Sequence, residues 1–393
     1  MKQKNILIIT NKIVFPALDG GALAMKNLTE LLTKLDYHLD IICISKHNNS
    51  DDKKNNEIKI NDRINQYTFY KCMRFNLYNF LKSIYQRNAY QSMRFYDFEI
   101  KRYIQNKINQ KIYNYIIFES IFTTIYIRNL SLNSETKLIY RAHNIEHKIW
   151  TDLAKNSFLR KIPYLFLANQ IKRVENKIIK YVDHIFTLSE DDYKYFTNFN
   201  SKKTHYVPVT FEIQKNNSKK IKNSIVHLGA MDWKPNHEGM KWFMRNVLPK
   251  ILNNKNNIYI GGKGMPSYYD KYASKYTHII GEVKNAKDFI KDKEILFVPL
   301  FSGSGIRIKI LEAMSLGISV ISTAKGAKGI PVTHNHNIVI ANTPEEFKEG
   351  IQSLINDKDL AKKIGTNGQK LIQEKFSQKS VIDKVKTILN GKD

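Results

Sequence analysis

The chain has little cysteine. Cys43 and Cys72 are the only two in 393 residues, too few for a disulfide framework or a four-thiolate zinc site, which points to a reducing, cytoplasmic setting. Long apolar runs are missing too: no stretch reaches the roughly 18 residues that a membrane-spanning helix needs. The opening segment, MKQKNILIITNKIVF, starts basic, but its apolar run stops at Thr10 and is followed by Asn11 and Lys12, unlike a secretion signal. Acidic residues are scarce, with Asp+Glu 36 against Lys+Arg 63 and a formal charge of +27. Such an imbalance favours an anionic partner, whether nucleic acid, an acidic membrane surface or a phosphorylated substrate, although many of the lysines must simply be solvated faces.

What is present is a globular composition, 42% hydrophobic, in a chain long enough for two domains. Short β-branched runs recur in the first half: NILIIT at 5, LDIICIS at 39, NYIIFES at 114, KLIYRAH at 137 and HIFTLSE at 184. Between them, segments near 20–35, 92–111 and 162–181 carry helical spacing, so this half predicts a parallel α/β sheet. Residues 47–62, HNNSDDKKNNEIKIND, are polar and break the pattern, so they predict a solvated loop. A second series runs through SIVHLGAMD at 224, NIYIGGKG at 257, HIIGEV at 278, EILFVPLF at 294, SVISTAKG at 319 and NIVIAN at 337. The expected organisation is an acceptor-side Rossmann-like domain over 1–210, a lysine-rich linker at 211–223, a second Rossmann-like domain over 224–375, and a terminal helix at 376–393 that packs back toward the first domain. Two doubly wound domains in tandem predict a cleft at the carboxyl ends of their strands, where such sheets bind ligands.

One stretch there concentrates chemistry. In FSGSGIRIKILEAMSLG, residues 301–317, Gly303 and Gly305 allow a tight turn before a helix, and Ser304 lies between them. Helix-entry amides with Arg307 and Lys309 suit one or two phosphates. Ile310, Ala313 and Met314 share an apolar face, while Glu312 points away from it, placed to accept hydrogen bonds from vicinal sugar hydroxyls. Phosphate cations beside a diol acceptor describe a nucleotide site. Residues 67–96 interleave Arg and Lys with Tyr and Phe; they predict an amphipathic pair of helices whose aromatics enter the core. The same texture would also suit a phospholipid surface and, less well, single-stranded nucleic acid.

Three blocks in order, RAHNIEHKIW at 141–150, VHLGAMDWKPNHEGMKWF at 226–243 and VPLFSGSGIRIKILEAMSLGISVISTAKGAKGI at 298–330, resemble the retaining glycosyltransferases of family 4, in their bacterial polysaccharide branch, over essentially the whole chain. The resemblance implies a two-domain GT-B fold, a nucleotide-sugar donor (UDP- or GDP-linked) held mainly by the C-terminal domain, and neither metal nor cofactor. It implies that Glu312 binds the ribose, that His143 lies near the donor sugar, and that Gly20 and Gly21 approach the donor phosphates or the acceptor. Gly229, Gly303, Ser304, Gly305, Arg307 and Lys309 complete the donor side, with Val283 near the base; Glu146 is a further candidate, as a catalytic group, a cap or a partner of Lys148. The chain departs from the family in placing Ser304 where many members have a glutamate and Ala230 where many have an arginine; Arg307 and Lys309 are expected to supply the missing diphosphate charge. The expected partners are a nucleotide sugar, a glycan or polyprenyl-linked acceptor and an anionic membrane surface at the inner face of the plasma membrane, with no nucleic acid. The rival readings are a GT-B relative such as a nucleotide-sugar epimerase and a basic nucleic-acid-binding protein, the latter without any recognition motif to accompany the charge.

Overall fold

A computed structural model of the chain describes residues 3–47, 55–155, 157–213, 216–252, 256–303 and 305–391. The chain divides into two compact units between Pro208 and Val209, each an α/β structure around one sheet.

In the first unit the strands are β1 (Asn5–Thr10), β2 (His38–His47), β3 (Asn56–Asn61), β4 (Ile64–Cys72), β5 (Tyr115–Glu119), β6 (Lys137–Ala142), β7 (His184–Thr187) and β8 (Thr204–Tyr206), in the order β3-β4-β2-β1-β5-β6-β7-β8. All neighbouring pairs are parallel except β3 with β4. Every residue of β1 and of β5 is buried, as expected of central strands covered on both faces by helices. The solvated loop expected at 47–62 is corrected in part: Asn56–Asn61 forms an edge strand, exposed along nearly its whole length, and residues 48–54 lie outside the described residues. The only alternation in this exposed strand is Ile58 and Ile60 among polar neighbours, too short a signal to stand out from the polar run around it. The paired-helix expectation for 67–96 is corrected as well, because its first residues belong to β4 and helices begin only at Leu77–Tyr85 and Tyr90–Met93.

In the second unit β9 (Ser224–Leu228), β10 (Asn257–Gly261), β11 (Thr277–Gly281), β12 (Ile295–Val298), β13 (Ser319–Ser322) and β14 (Val339–Ile340) form a fully parallel sheet in the order β11-β10-β9-β12-β13-β14. Alternate residues enter two cores: Ile225, Ile295, Phe297 and Ile321 on one face, Val226, Leu296, Val298 and Val320 on the other. Residues 216–223, expected in a linker, are laid on this unit: Asn216 Nδ2 and Lys220 Nζ donate to the Lys291 carbonyl at 2.7 and 2.9 Å, and the Ile221 amide donates to the Asp292 carbonyl at 2.8 Å. The terminal helix Gln378–Leu389 also falls in the second unit, burying Val381, Val385, Ile388 and Leu389.

Each strand order reverses direction at one place, between β1 and β5 in the first sheet and between β9 and β12 in the second. At such a switch point the helices leave on opposite faces, and the loops at the strands' carboxyl ends part to form a crevice.

Candidate active site

The second unit's switch point is where the glycine turn lies. Gly303 and Gly305 take φ of +93° and +80°, the left-handed region that favours glycine, and the chain then enters the helix Ile308–Ser315 with Arg307 at its N-cap. Ser304 lies outside the described residues. The Arg307 side chain is 6% exposed, so it is not a decoration of a solvated helix face. Its Nη1 donates to the Gly305 carbonyl at 2.7 Å, and its guanidinium carbon lies 5.3 Å from the centre of the Trp233 ring. Burial pushes its pKa down to about 10. Two residues further on, Lys309 Nζ donates to Asn236 Oδ1 at 3.0 Å, while Asn236 Nδ2 donates to the Ala230 carbonyl at 2.9 Å. Burial, then the positive charge of Arg307, lowers Lys309 to about 7.

Gly229, the residue after β9, faces this group directly. A Cβ placed there would come within 2.7 Å of both Lys309 Nζ and Asn236 Nδ2, so a side chain would close the space over the cations. Beneath them His227 is fully buried, its Nδ1 bonded to the Phe297 carbonyl at 3.0 Å and its Nε2 without a hydrogen-bond partner among the described residues. Burial holds His227 well below the usual imidazole range, with Lys309 adding to the effect. Glu312 is half-buried on the exit side of Lys309; burial raises its pKa against the pull of Lys287, which places it beside the helix Ala286–Ile290. Val283, half-buried, packs near Gly261 at the end of β10. The structure therefore gathers Gly229, Gly303, Gly305, Arg307 and Lys309 around one spot. Sequence reasoning missed Trp233, Asn236 and His227. The signal was present in WKPN, where a Pro in the first helical turn is followed by an amide side chain that the turn aims back at its own loop.

At the first unit's switch point a second constellation appears. Glu119 ends β5, and Arg141 stands opposite it on β6. Arg141 is 1% exposed, and its Nη1 donates to Glu119 Oε1 at 2.9 Å and to the Ala24 carbonyl at 3.0 Å. His143, two residues further, donates from Nε2 to Glu119 Oε2 at 2.5 Å. Burial would raise the Glu119 pKa, but Arg141 and then His143 outweigh it and hold the carboxyl below the usual range. The result is a chain from the glycine-opened helix Gly20–Lys34 through Arg141 and Glu119 to the imidazole, in which Glu119 engages Nε2 and so orients the ring.

Gly20 and Gly21 open that helix, but the anion at its entry is internal. Asp19 accepts from the Ala22 amide at 2.9 Å and pairs with Lys12 at 2.7 Å. The loop before it is pinned from β4, since Gln66 bonds both the amide and the carbonyl of Phe15 at 2.8 Å. Glu146 begins the helix Glu146–Lys155, where its amide donates to Glu175 Oε1 at 2.7 Å and His147 also bonds Glu175. Burial and then the Glu175 charge push Glu146 up to about 7, and its expected partner Lys148 lies instead over the Tyr195 ring at 4.5 Å. Glu119 and Arg141 were the members that the sequence reading missed: an acid closing a buried strand, and an Arg-x-His alternation that puts both basic residues on one side of the next.

Residues 222–357 match the family model described as Glycosyl transferases group 1. The chain is 25% identical, over 97% of its own length and 98% of the relative's, to an uncharacterised 44.6 kDa protein of the cps region of Klebsiella pneumoniae. It is 25% identical to an uncharacterised glycosyltransferase of Methanocaldococcus jannaschii over 62% of this chain and 67% of that one. Among solved structures, a variant of S. aureus TarM in complex with Fondaparinux, alpha-GlcNAc-glycerol and UDP aligns with a TM-score of 0.69 at 13% identity, covering 99% of this chain and 100% of that one. WaaG, a glycosyltransferase involved in lipopolysaccharide biosynthesis, aligns at 0.64 and 11% identity over 98% and 100% of the two chains. The fold is thus the GT-B fold of glycosyltransferases, two Rossmann-like units with parallel sheets.

Proposed function

We propose that the protein is a retaining, metal-independent glycosyltransferase of family 4 that moves a sugar from a UDP- or GDP-linked donor to a glycan acceptor carried on a polyprenyl lipid, in surface polysaccharide or lipopolysaccharide synthesis. The observation that carries this reading is the pair of basic side chains, Arg307 and Lys309, lowered by burial beneath the open position at Gly229 on the second sheet's switch point. A diphosphate there would meet two cations and the turn's amides, and Glu312 would accept from the ribose hydroxyls. The cps-region relative and the lipopolysaccharide enzyme among the structural neighbours support the cell-surface assignment.

In the reaction, the bond from the anomeric carbon to the β-phosphate oxygen breaks as the acceptor oxygen bonds to that carbon on the same face. The acceptor's proton passes to the departing phosphate. Charge grows on the diphosphate as the bond breaks, so fixed cations that need no reorganisation stabilise the transition state more than the bound donor. His143, oriented by Glu119, polarises the donor sugar. The test is calorimetric titration with a panel of UDP- and GDP-sugars in EDTA, followed by anomeric analysis of the product. Binding that requires a divalent ion, or an inverted product, would overturn the reading.

A further inference from the structure

One groove of the first unit belongs to neither candidate site. Its volume is about 350 Å³, at the small end of the range for small-molecule sites, and separate segments of the chain wall it. The helix Leu77–Tyr85, which turns Leu81 and Tyr85 outward at 57% and 90% exposure, supplies Lys82, and the short helix Tyr90–Met93 supplies Ser92. The 3₁₀ helix Thr123–Asn129 supplies Arg128, and the helix Lys161–Tyr181 supplies Lys177 and Tyr181. The wall holds three cations and no carboxylate.

Two observations show walls prepared for an anion. First, each cation meets a neutral group: Lys177 Nζ donates to the Arg87 carbonyl at 3.3 Å, the Arg128 guanidinium carbon lies 5.5 Å from the centre of the Tyr181 ring, and Lys82 Nζ lies 5.5 Å from that of Tyr78. Desolvation and then the charges of Arg128, Arg87 and Arg173 lower the Lys177 pKa, as crowded like charges do until an anion joins them. Second, Ser92 is 2% exposed, and its Oγ has no hydrogen-bond partner among the described residues. A buried hydroxyl left unbonded costs free energy that a ligand against that wall would recover. Size and lining then narrow the class. The groove is too roomy for an inorganic anion alone and too small for a nucleotide sugar. Gln86 and Asn88 bring amides and Tyr96 and Tyr181 bring aromatic rings, which suit the hydroxyls and the C–H face of a single sugar, while the three cations suit a phosphate dianion, Arg128 through paired donors.

We propose that the groove of Lys82, Ser92, Arg128 and Lys177 is a binding site for a soluble hexose phosphate, its phosphate among the three cations and its sugar against Ser92 and the tyrosines. The site shares no residue with either switch-point constellation, so the ligand is bound there and not turned over. The inference goes beyond the function proposed above and does not depend on it.

The test is calorimetric titration of the full chain with glucose 1-phosphate and glucose 6-phosphate, and with inorganic phosphate, glucuronate and glucose for comparison. Saturable binding of at least one hexose phosphate is expected, about tenfold or more tighter than that of the three comparison compounds, as befits a hydrogen-bonded charge added to a fitted sugar. Arg128→Gln with Lys177→Gln should weaken it by about tenfold or more, and Ser92→Ala by about fivefold, the worth of one hydrogen bond. Arg307→Ala with Lys309→Ala should leave it unchanged, which separates the groove from the diphosphate site. A wild-type unfolding temperature in the Arg128→Gln, Lys177→Gln variant shows an intact protein, so its loss of binding reads the groove itself. No saturable binding of either hexose phosphate would overturn the proposal. So would inorganic phosphate or glucuronate binding as tightly, affinity untouched by Arg128→Gln with Lys177→Gln, or binding lost with Arg307 and Lys309. Hexose phosphate binding without binding of any nucleotide sugar would sink the enzyme reading and leave this one standing.

Discussion

The two switch points solve opposite electrostatic problems. In the first unit, Arg141, Glu119 and His143 form a chain in which the fully buried carboxylate is matched on both oxygens. In the second, burial lowers both Arg307 and Lys309, the charge of Arg307 lowers Lys309 further, and the partner of Lys309 is a neutral amide. A matched charge fixes geometry, because each member is locked by the others and little field is left over. Two cations pressed together in a partly dry pocket are instead poised for an anion that would relieve the strain of both. One site is built to hold a ring still and the other to take up charge.

The comparison breaks most sharply on the cations. Replacing both Arg307 and Lys309 by alanine is expected to cut kcat/KM by about 10³ or more, since a single preorganised donor is commonly worth about 10²–10³, and to weaken donor binding in calorimetry. Unchanged donor affinity would show that the diphosphate binds elsewhere. In the first unit, Glu119→Gln is expected to lower kcat by about 10², within the range for loss of an oriented polar group, while donor affinity stays as it was. If the donor dissociation constant rose in parallel, the two units would not divide labour as argued. Glu312→Gln should weaken nucleoside diphosphate binding by about tenfold, the worth of a hydrogen bond to a charged group, and should do so less for a deoxyribose analogue that lacks the hydroxyl.

Smaller effects lie in pH. Lys309 sits at about 7 in the empty protein, and a bound diphosphate would raise it. Affinity should therefore be greatest below pH 7 and fall by up to about tenfold per unit above it, with proton uptake visible as a dependence of binding enthalpy on buffer. A flat profile from pH 6 to 9 would remove Lys309 from the site. Glu146 is raised from 4.5 to about 7, so its neutral form stabilises the first unit below pH 4.5 and that contribution is lost as pH rises through 7. Glu146→Gln should then raise Tm at pH 8 by about 2–4 °C, the response to ~1 kcal/mol in a unit of this size, and change little at pH 4.

The parallel strands were legible because burial on both faces demands continuous β-branched runs, as in NILIIT and EILFVP. The edge strand Asn56–Asn61 was not, since its exposed residues obey no such demand. The aromatic helix at 77–85 carried a periodicity that was read as core and lies outside, because a hydrophobic stripe specifies a face and not what covers it. Of the candidate sites, Arg307, Lys309 and Gly229 were legible as types in a pattern; within the second unit Asn236 and Trp233 meet Lys309 and Arg307 only in space, as within the first unit Glu119 meets Arg141 and His143.

By itself the sequence determined where the buried parallel strands fall and which short stretch bears the charged chemistry, since these follow from local propensity and from the period of burial. Tertiary structure alone decided that Glu119 clamps His143, that Arg307 is buried against Trp233 rather than solvated, and that the aromatic helix turns its apolar side outward. These depend on contacts between residues many positions apart, whose energies no local pattern encodes.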